Sequence, residues 1–234
     1  MDGANSQGIS QTIVALISKP ARADVEPAER GFELKSTSAE AFDESYYRRY
    51  YFDKKTNVSD AMHVERLGDY VCSCLKYLRV PVRRVLDAGC GIGQWRGIIA
   101  RHFPQASYHG VEFSEYLCER YGWERGSIVD YRARKPFDLV ICQGVLAYLN
   151  PADLQLAMRN IATLSRGALF LEAVTFEDYE RDIVDESLTD PNLFRHRANV
   201  YRRGLSRDFK AVGGGIWLSR SCDVPLFALE CASE

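Results

Sequence analysis

The stretch Val85-Leu86-Asp87-Ala88-Gly89-Cys90-Gly91-Ile92-Gly93 decides how this chain reads. Val85-Leu86-Asp87 has the character of a buried strand. The three alternating glycines after it permit a sharp turn whose backbone can approach a ligand that any Cβ would obstruct. Beyond the turn the spacing becomes helical: Trp95, Ile98, Ile99, His102 and Phe103 share an inner face, and Pro104 stops the helix. Strand, glycine turn and helix in this order predict a ligand site beyond the carboxyl end of the strand, where open parallel sheets bind their ligands.

Downstream the alternation continues. Residues 108–113 read as a second strand, followed by a helix that Ser114 caps and Gly122 ends. Ile128-Val129-Asp130 reads as a short third strand. Residues 137–142 read as a fourth, apolar throughout as a strand covered on both faces should be. Asn150-Pro151 supplies an N-cap and an N1 proline for a helix through Leu164, with Gly167 closing it. A fifth strand is expected over 168–174, a helix over 197–205, and two last strands over 210–218 and 225–230, close enough to pair as a hairpin. Upstream, residues 1–39 read as a flexible arm interrupted by Pro20 and Pro27, with one short helix over 9–18. Phe42, Tyr46 and Tyr50 recur every fourth residue, as do Asp43, Tyr47 and Tyr51, which predicts an aromatic helix. A second helix from near Ser59 carries Met62, Val64, Leu67, Val71, Leu75 and Leu78 on one face and ends at Val80-Pro81. The expected fold is α/β: a Rossmann-like, doubly wound, mostly parallel seven-stranded sheet with a C-terminal antiparallel hairpin and an N-terminal helical cap. The expected division is an arm (1–39), a helical cap or lid (40–80) and a ligand-binding domain (81–234).

Composition bounds the function. In 234 residues, 46% are apolar and 26% charged, enough for the core of one ordinary domain with an extension. The net charge is −2, with short basic pairs at Arg48-Arg49 and Arg202-Arg203 but no basic block, so a nucleic-acid partner is disfavoured. Apolar runs fall well short of the roughly 20 residues of a membrane-spanning helix. Ile13-Val14-Ala15-Leu16-Ile17 lacks the basic flank and cleavage site of a secretory signal. A cytoplasmic monomer or homodimer is expected. The seven cysteines include one tight pair, Cys72-Ser73-Cys74, with no histidine to complete a zinc site. They read as thiols in a reducing compartment, and no metal is expected.

Two nucleotide chemistries compete for the glycine turn. A dinucleotide fold requires G-x-G-x-x-G, but Gln94 holds the last position and the third glycine falls one residue early, at Gly93. Tyr50-x-x-x-Lys54 has the Tyr/Lys spacing of short-chain dehydrogenases but precedes the glycine loop instead of following it. Glu112, at the end of the second strand, stands where an acid accepts the hydroxyl protons of an adenosine ribose. The pattern favours methyl transfer over hydride transfer.

Val85 to Gly93 resembles motif I of the class I, Rossmann-like S-adenosylmethionine-dependent methyltransferases. Gly110-Val111-Glu112-Phe113-Ser114 resembles the second motif, Asp130-Tyr131 sits at the third, and Phe137-Asp138-Leu139-Val140-Ile141-Cys142 resembles the fourth. Leu171-Glu172-Ala173-Val174-Thr175, Tyr201-Arg202-Arg203 and Gly213-Gly214-Gly215 are similar to one bacterial, uncharacterised branch of these enzymes. The resemblance implies that S-adenosylmethionine is the cofactor. It implies that Gly89, Cys90 and Gly91 approach the methionyl moiety, and that Asp87 reaches its ammonium directly or through water. Glu112 would hold the ribose, Phe113 cover adenine, Asp130 accept from the adenine amine with Tyr131 beside it, and Gln143 offer polar groups near the methionyl end. The tyrosines of the N-terminal helix resemble a lid, whose aromatic faces could attract the sulfonium.

Each role has a plainer counterpart: Asp87 as a turn cap, Glu112 as an exposed strand-end acid, Asp130 as a position that Asp138 or another acid could fill instead, Trp95 and the tyrosine stripe as packing. The acceptor side is less determined. Tyr47, Tyr51, Tyr148, Glu172, His196, Arg197 and Tyr201 are the candidates, and no catalytic residue is assigned, because alignment of donor and acceptor can lower the barrier without a general base. A small-molecule acceptor is the leading expectation. The alternatives are a protein or RNA acceptor, for which Cys142-Gln143-Gly144-Val145 replaces the D/N-P-P-Y/F signature, and a cofactor-binding module without turnover.

Overall fold

The computed structural model describes residues 37–53 and 61–232. The helix expected over 9–18, Lys54, the expected helix start near Ser59, and the N-terminal arm up to residue 36 lie outside them.

Seven strands form one sheet: β1 (Arg84–Ala88), β2 (Ser107–Glu112), β3 (Glu124–Arg125), β4 (Phe137–Gln143), β5 (Ser165–Glu172), β6 (Phe209–Gly213) and β7 (Ile216–Ser219). Their order is β3-β2-β1-β4-β5-β7-β6; neighbours from β3 to β5 run parallel, and β7 is antiparallel to both β5 and β6. Alternate strand residues feed two cores, as the two-residue period of a strand requires. On one face Val85, Leu139, Ile141 and Phe170 pack against α2 (Ala61–Tyr77) and α3 (Gln94–His102) through Val71, Leu75, Trp95 and Ile98. On the other, Leu86, Val140, Cys142 and Leu169 pack against α5 (Pro151–Leu164) and α7 (Ala198–Ser206) through Leu154, Ile161, Tyr201 and Leu205.

The helix ends follow their sequence signals. Asn150 accepts from the backbone N–H of Ala152 and Asp153 at 2.9 and 3.0 Å, with Pro151 in the first turn of α5. Ser114 caps α4 (Glu115–Tyr121), which ends on Gly122 at φ 71°. The chain turns opposite ways from β1, so the ends of β1 and β4 frame a cleft at the switch point.

Four local expectations are corrected. The third strand lies at Glu124–Arg125; residues 128–130 instead turn, with the N–H groups of Asp130 and Tyr131 donating to the Ser127 carbonyl at 3.1 and 2.8 Å. Ile128 is apolar there because that turn tucks into the α5-side core. Gly167 does not close α5: the helix ends at Leu164 and Gly167 lies inside β5, where a Cβ would stand 2.2 Å from the Asp138 carbonyl oxygen. The hairpin is formed by β6 and β7, because Gly213, Gly214 and Gly215 all take positive φ and split the segment read as one strand. Residues 225–230 end in a 3-10 turn, Ala228–Glu230. Finally, the aromatic helix is a single α-turn, α1 (Glu44–Tyr47), that widens into a π-turn over Arg48–Phe52.

Candidate active site

Gly89, Gly91 and Gly93 adopt φ of 70°, 54° and 81° at the end of β1. Their reasons differ. A Cβ on Gly89 would stand 2.3 Å from Val145 Cγ2, and one on Gly93 would stand 2.6 Å from the Trp123 ring. At Gly91 nothing among the described residues lies within 4 Å of that position. The open face of the turn is thus at Gly91, and its neighbours are glycines to let the protein pack against them.

The turn is held by hydrogen bonds. The N–H groups of Gly89 and Cys90 donate to the Val111 carbonyl at 2.8 and 3.1 Å. Trp123 Nε1 donates to the Gly91 carbonyl at 2.9 Å, and the Gly91 N–H donates to Glu112 Oε2 at 2.8 Å. The other oxygen of Glu112 accepts from the N–H groups of Phe113 and Ser114 at 2.8 and 2.9 Å. Glu112 is buried, which raises its pKa, while these three amides favour the charged form and oppose the rise. Asp87 is buried beside it and accepts from the Tyr108 hydroxyl at 2.5 Å. Burial pushes the Asp87 carboxyl up to about 7, the Glu112 charge adds to the rise, and the Tyr108 hydrogen bond opposes it. Cys90 is buried under the turn with its thiol pushed well up by desolvation, so it stays neutral. All seven cysteines are free.

The remaining donor-side residues divide. Gln143 at the end of β4 accepts from Trp95 Nε1 at 2.8 Å and donates to Glu172 at 3.4 Å, so Trp95 is both core and support for a polar side chain. Phe113 is 37% exposed, beyond Glu112, with Phe42 at 6.4 Å. Asp130 is exposed at the turn that replaces the expected strand, and Tyr131 directs its hydroxyl to Glu124 at 3.2 Å.

The aromatic cap closes over the same region. The Ser114 hydroxyl donates to the Phe42 carbonyl at 2.6 Å, fixing the start of the cap to the end of β2. The Tyr47 and Tyr51 rings lie 5.3 Å apart, and the Glu112 charge contributes to raising both phenols, with burial the larger cause; Tyr51 reaches about 12. Tyr148, on the turn after β4, shares a 2.7 Å hydrogen bond with the Tyr46 hydroxyl and meets Phe42 edge-on at 5.1 Å. Asp190, which sequence reasoning missed, is 6% exposed and adds to the raised pKa of Tyr46, Tyr50, Tyr51 and Tyr148. One of its oxygens is held by the backbone and side-chain nitrogens of Asn192, each at 2.9 Å.

Three acceptor-side candidates point elsewhere. His196 donates through Nε2 to the Leu149 carbonyl at 2.7 Å and stacks on Phe194, which ties the late crossover to the loop after β4. Arg197 lies 4.3 Å over the Phe176 ring and 3.8 Å from Glu177, with its side chain 57% exposed. Tyr201 is buried in the α5-side core, its hydroxyl without a partner among the described residues. Tyr108 and Trp123 were also missed. Tyr108 shares the β2 face that lies diagonal to Asp87 in the β1–β2 register, a signal present in the pattern once that register is fixed. Among the described residues no group of three or more His, Cys, Asp or Glu side chains is arranged to hold a metal, and no helix is long and apolar enough to cross a membrane.

Residues 86–167 match a family described as a methyltransferase domain. The sheet order and the glycine turn agree with this match, and are those of the class I, Rossmann-like S-adenosylmethionine-dependent methyltransferases. A trans-aconitate 2-methyltransferase from Pseudomonas paraeruginosa is 34% identical over 73 residues, which are 28% of this chain and 26% of that protein. Its counterpart in Pseudomonas aeruginosa is 33% identical over the same length and shares. The chain thus matches about a quarter of the length of these curated relatives. Among solved structures, magnesium protoporphyrin IX methyltransferase (ChlM) from Synechocystis with bound SAM shares the fold at TM-score 0.53 and 19% identity, over 77% of this chain and 93% of its own. DesVI from Streptomyces venezuelae does so at 0.51 and 12%, over 66% and 90%.

Proposed function

We propose that this chain transfers the methyl group of S-adenosylmethionine to a small-molecule acceptor. The observation that carries the reading is Glu112: a buried carboxylate held by three backbone amides, one of them from Gly91, the glycine with an open face. This is the chemistry of a ribose clamp, an oriented acceptor fixed to the same turn that would meet the rest of the ligand. Gly89, Cys90 and Gly91 would line the methionyl end, Asp87 and Gln143 would meet its ammonium and carboxylate region, and Phe113, Asp130 and Tyr131 would border adenine. The cofactor supplies a methyl group on a sulfonium already activated by its own charge. The protein has then to orient the acceptor and exclude water.

Tyr47, Tyr51 and Tyr148, with Glu172 at the end of β5, are the groups of the proposed acceptor side. The aromatic side chains packed beside the end of β2 support a small acceptor over a protein or RNA, as does the small net charge. The trans-aconitate methyltransferases and ChlM point the same way by their names. Incubation of the full chain with methyl-labelled cofactor and a cell extract fractionated by size tests this. Label in a low-molecular-weight product is expected, and label confined to protein or RNA overturns it.

A further inference from the structure

A cavity of about 430 Å³ lies towards the amino ends of β1 and β4. Its apolar wall is Phe137, buried at the start of β4. The Arg84 guanidinium lies 5.0 Å over that ring, and His109 meets it at 5.4 Å, tilted by 66°. Arg84 Nε and His109 Nε2 are both buried beneath the cavity and without a hydrogen-bond partner among the described residues. The loop before β4 brings three more cations to the same cavity: Arg132, Arg134 and Lys135. Arg132 is fixed through Nη1 by Asn160 Oδ1 at 2.7 Å and by the carbonyls of Asp130 and Tyr131 at 2.9 and 3.0 Å. Arg134 and Lys135 have no ion pair among the described residues. One carboxylate, Glu124, faces these four cations.

We propose that this cavity is a binding site for a small phosphate-class oxyanion, adjoining the proposed cofactor site at Tyr131, which lines both. A dianion matches the excess of cations better than a single carboxylate does. Guanidinium groups suit its oxygens through paired N–H donors. The volume is that of a small-ligand pocket, which lies roughly between 300 and 1,000 Å³. A nucleic-acid backbone would instead require cations spread along a face, with no basic block in the rest of the sequence to extend this patch.

Calorimetry of the full chain with inorganic phosphate in low-salt chloride buffer, with glycerol phosphate and a single-stranded oligonucleotide as separate arms, tests it. Saturable one-to-one phosphate binding is expected; tighter binding of glycerol phosphate would assign the site to a phosphate ester, and equal or weaker binding to free phosphate. Arg84→Met, which keeps apolar contact with Phe137, should weaken phosphate binding at least tenfold. So should Arg134→Ala/Lys135→Ala, whose exposed positions leave the fold intact, whereas Arg202→Ala/Arg203→Ala should change it less than twofold. The proposal is overturned by absence of saturable phosphate binding, by equal affinity in all variants, or by binding of the oligonucleotide alone.

Discussion

The donor half of the cleft and its proposed acceptor half draw their atoms from different distances along the chain. At the ends of β1 and β2, Gly89, Gly91, Asp87 and Glu112 come from neighbouring strands in register, and the contacts are mostly backbone amides. Under the cap, Phe42 and Tyr46 meet Tyr148 side chain on side chain, and a buried Asp190 from far later in the chain acts on the tyrosines through its charge. Backbone amides can be read from a turn motif. Side-chain assemblies between distant segments tolerate many sequences, so the first half specifies the donor and the second leaves the acceptor to be measured.

Gly89→Ala breaks the donor half most severely. A left-handed φ costs a non-glycine residue roughly 1–2 kcal/mol, and overpacking against Val145 adds about as much again, giving about 3 kcal/mol lost in denaturant unfolding. Adding Val145→Ala should return the packing part and leave the backbone part. Full stability in the single variant would show that the turn is not held as described.

Asp87→Asn comes next and separates stability from binding. The Asp87 carboxyl rises to about 7 in the fold from an ordinary 3.8. Between those values the native state holds a proton that the unfolded state has lost, so this group's contribution to stability falls as pH rises and levels off above about 7. The variant should therefore exceed the wild type in stability by on the order of 2 kcal/mol at pH 8, with the gap closing towards pH 4. Its affinity for S-adenosylhomocysteine should fall, because an ionised Asp87 is the proposed partner of the ligand ammonium. Thermal scans across pH check the first point and calorimetry the second; a gap that widens on acidification contradicts the sign.

Tyr46→Phe probes the other half. Losing the hydroxyl pair with Tyr148 should cost about 1 kcal/mol of stability and raise the acceptor KM, while S-adenosylhomocysteine affinity stays within twofold. A loss of cofactor affinity instead would merge the two halves into one.

The same contrast explains what could be read in advance. β1, β2, β4, β5 and their helices follow from apolar runs, Ser114, Asn150-Pro151 and Gly122, all local signals. The third strand was misplaced because Ile128 is apolar for a turn that packs inward, and a two-residue edge strand leaves almost no pattern. The last hairpin departs from expectation because three left-handed glycines reverse the chain inside the segment 210–218. Tyr108 and Trp123 leave no local signal because they act through register and through space, Tyr108 on Asp87 and Trp123 against Gly93. Asp190 had no local signal at all.

Calorimetry with S-adenosylhomocysteine on the full chain and on Glu112→Ala tests the donor site most directly. Saturable binding by the wild type, weakened by about 2 kcal/mol or roughly thirtyfold in the variant, is the predicted result for loss of a charged hydrogen-bonding partner. Absence of binding by the folded wild type, or equal affinity in the two proteins, would contradict it.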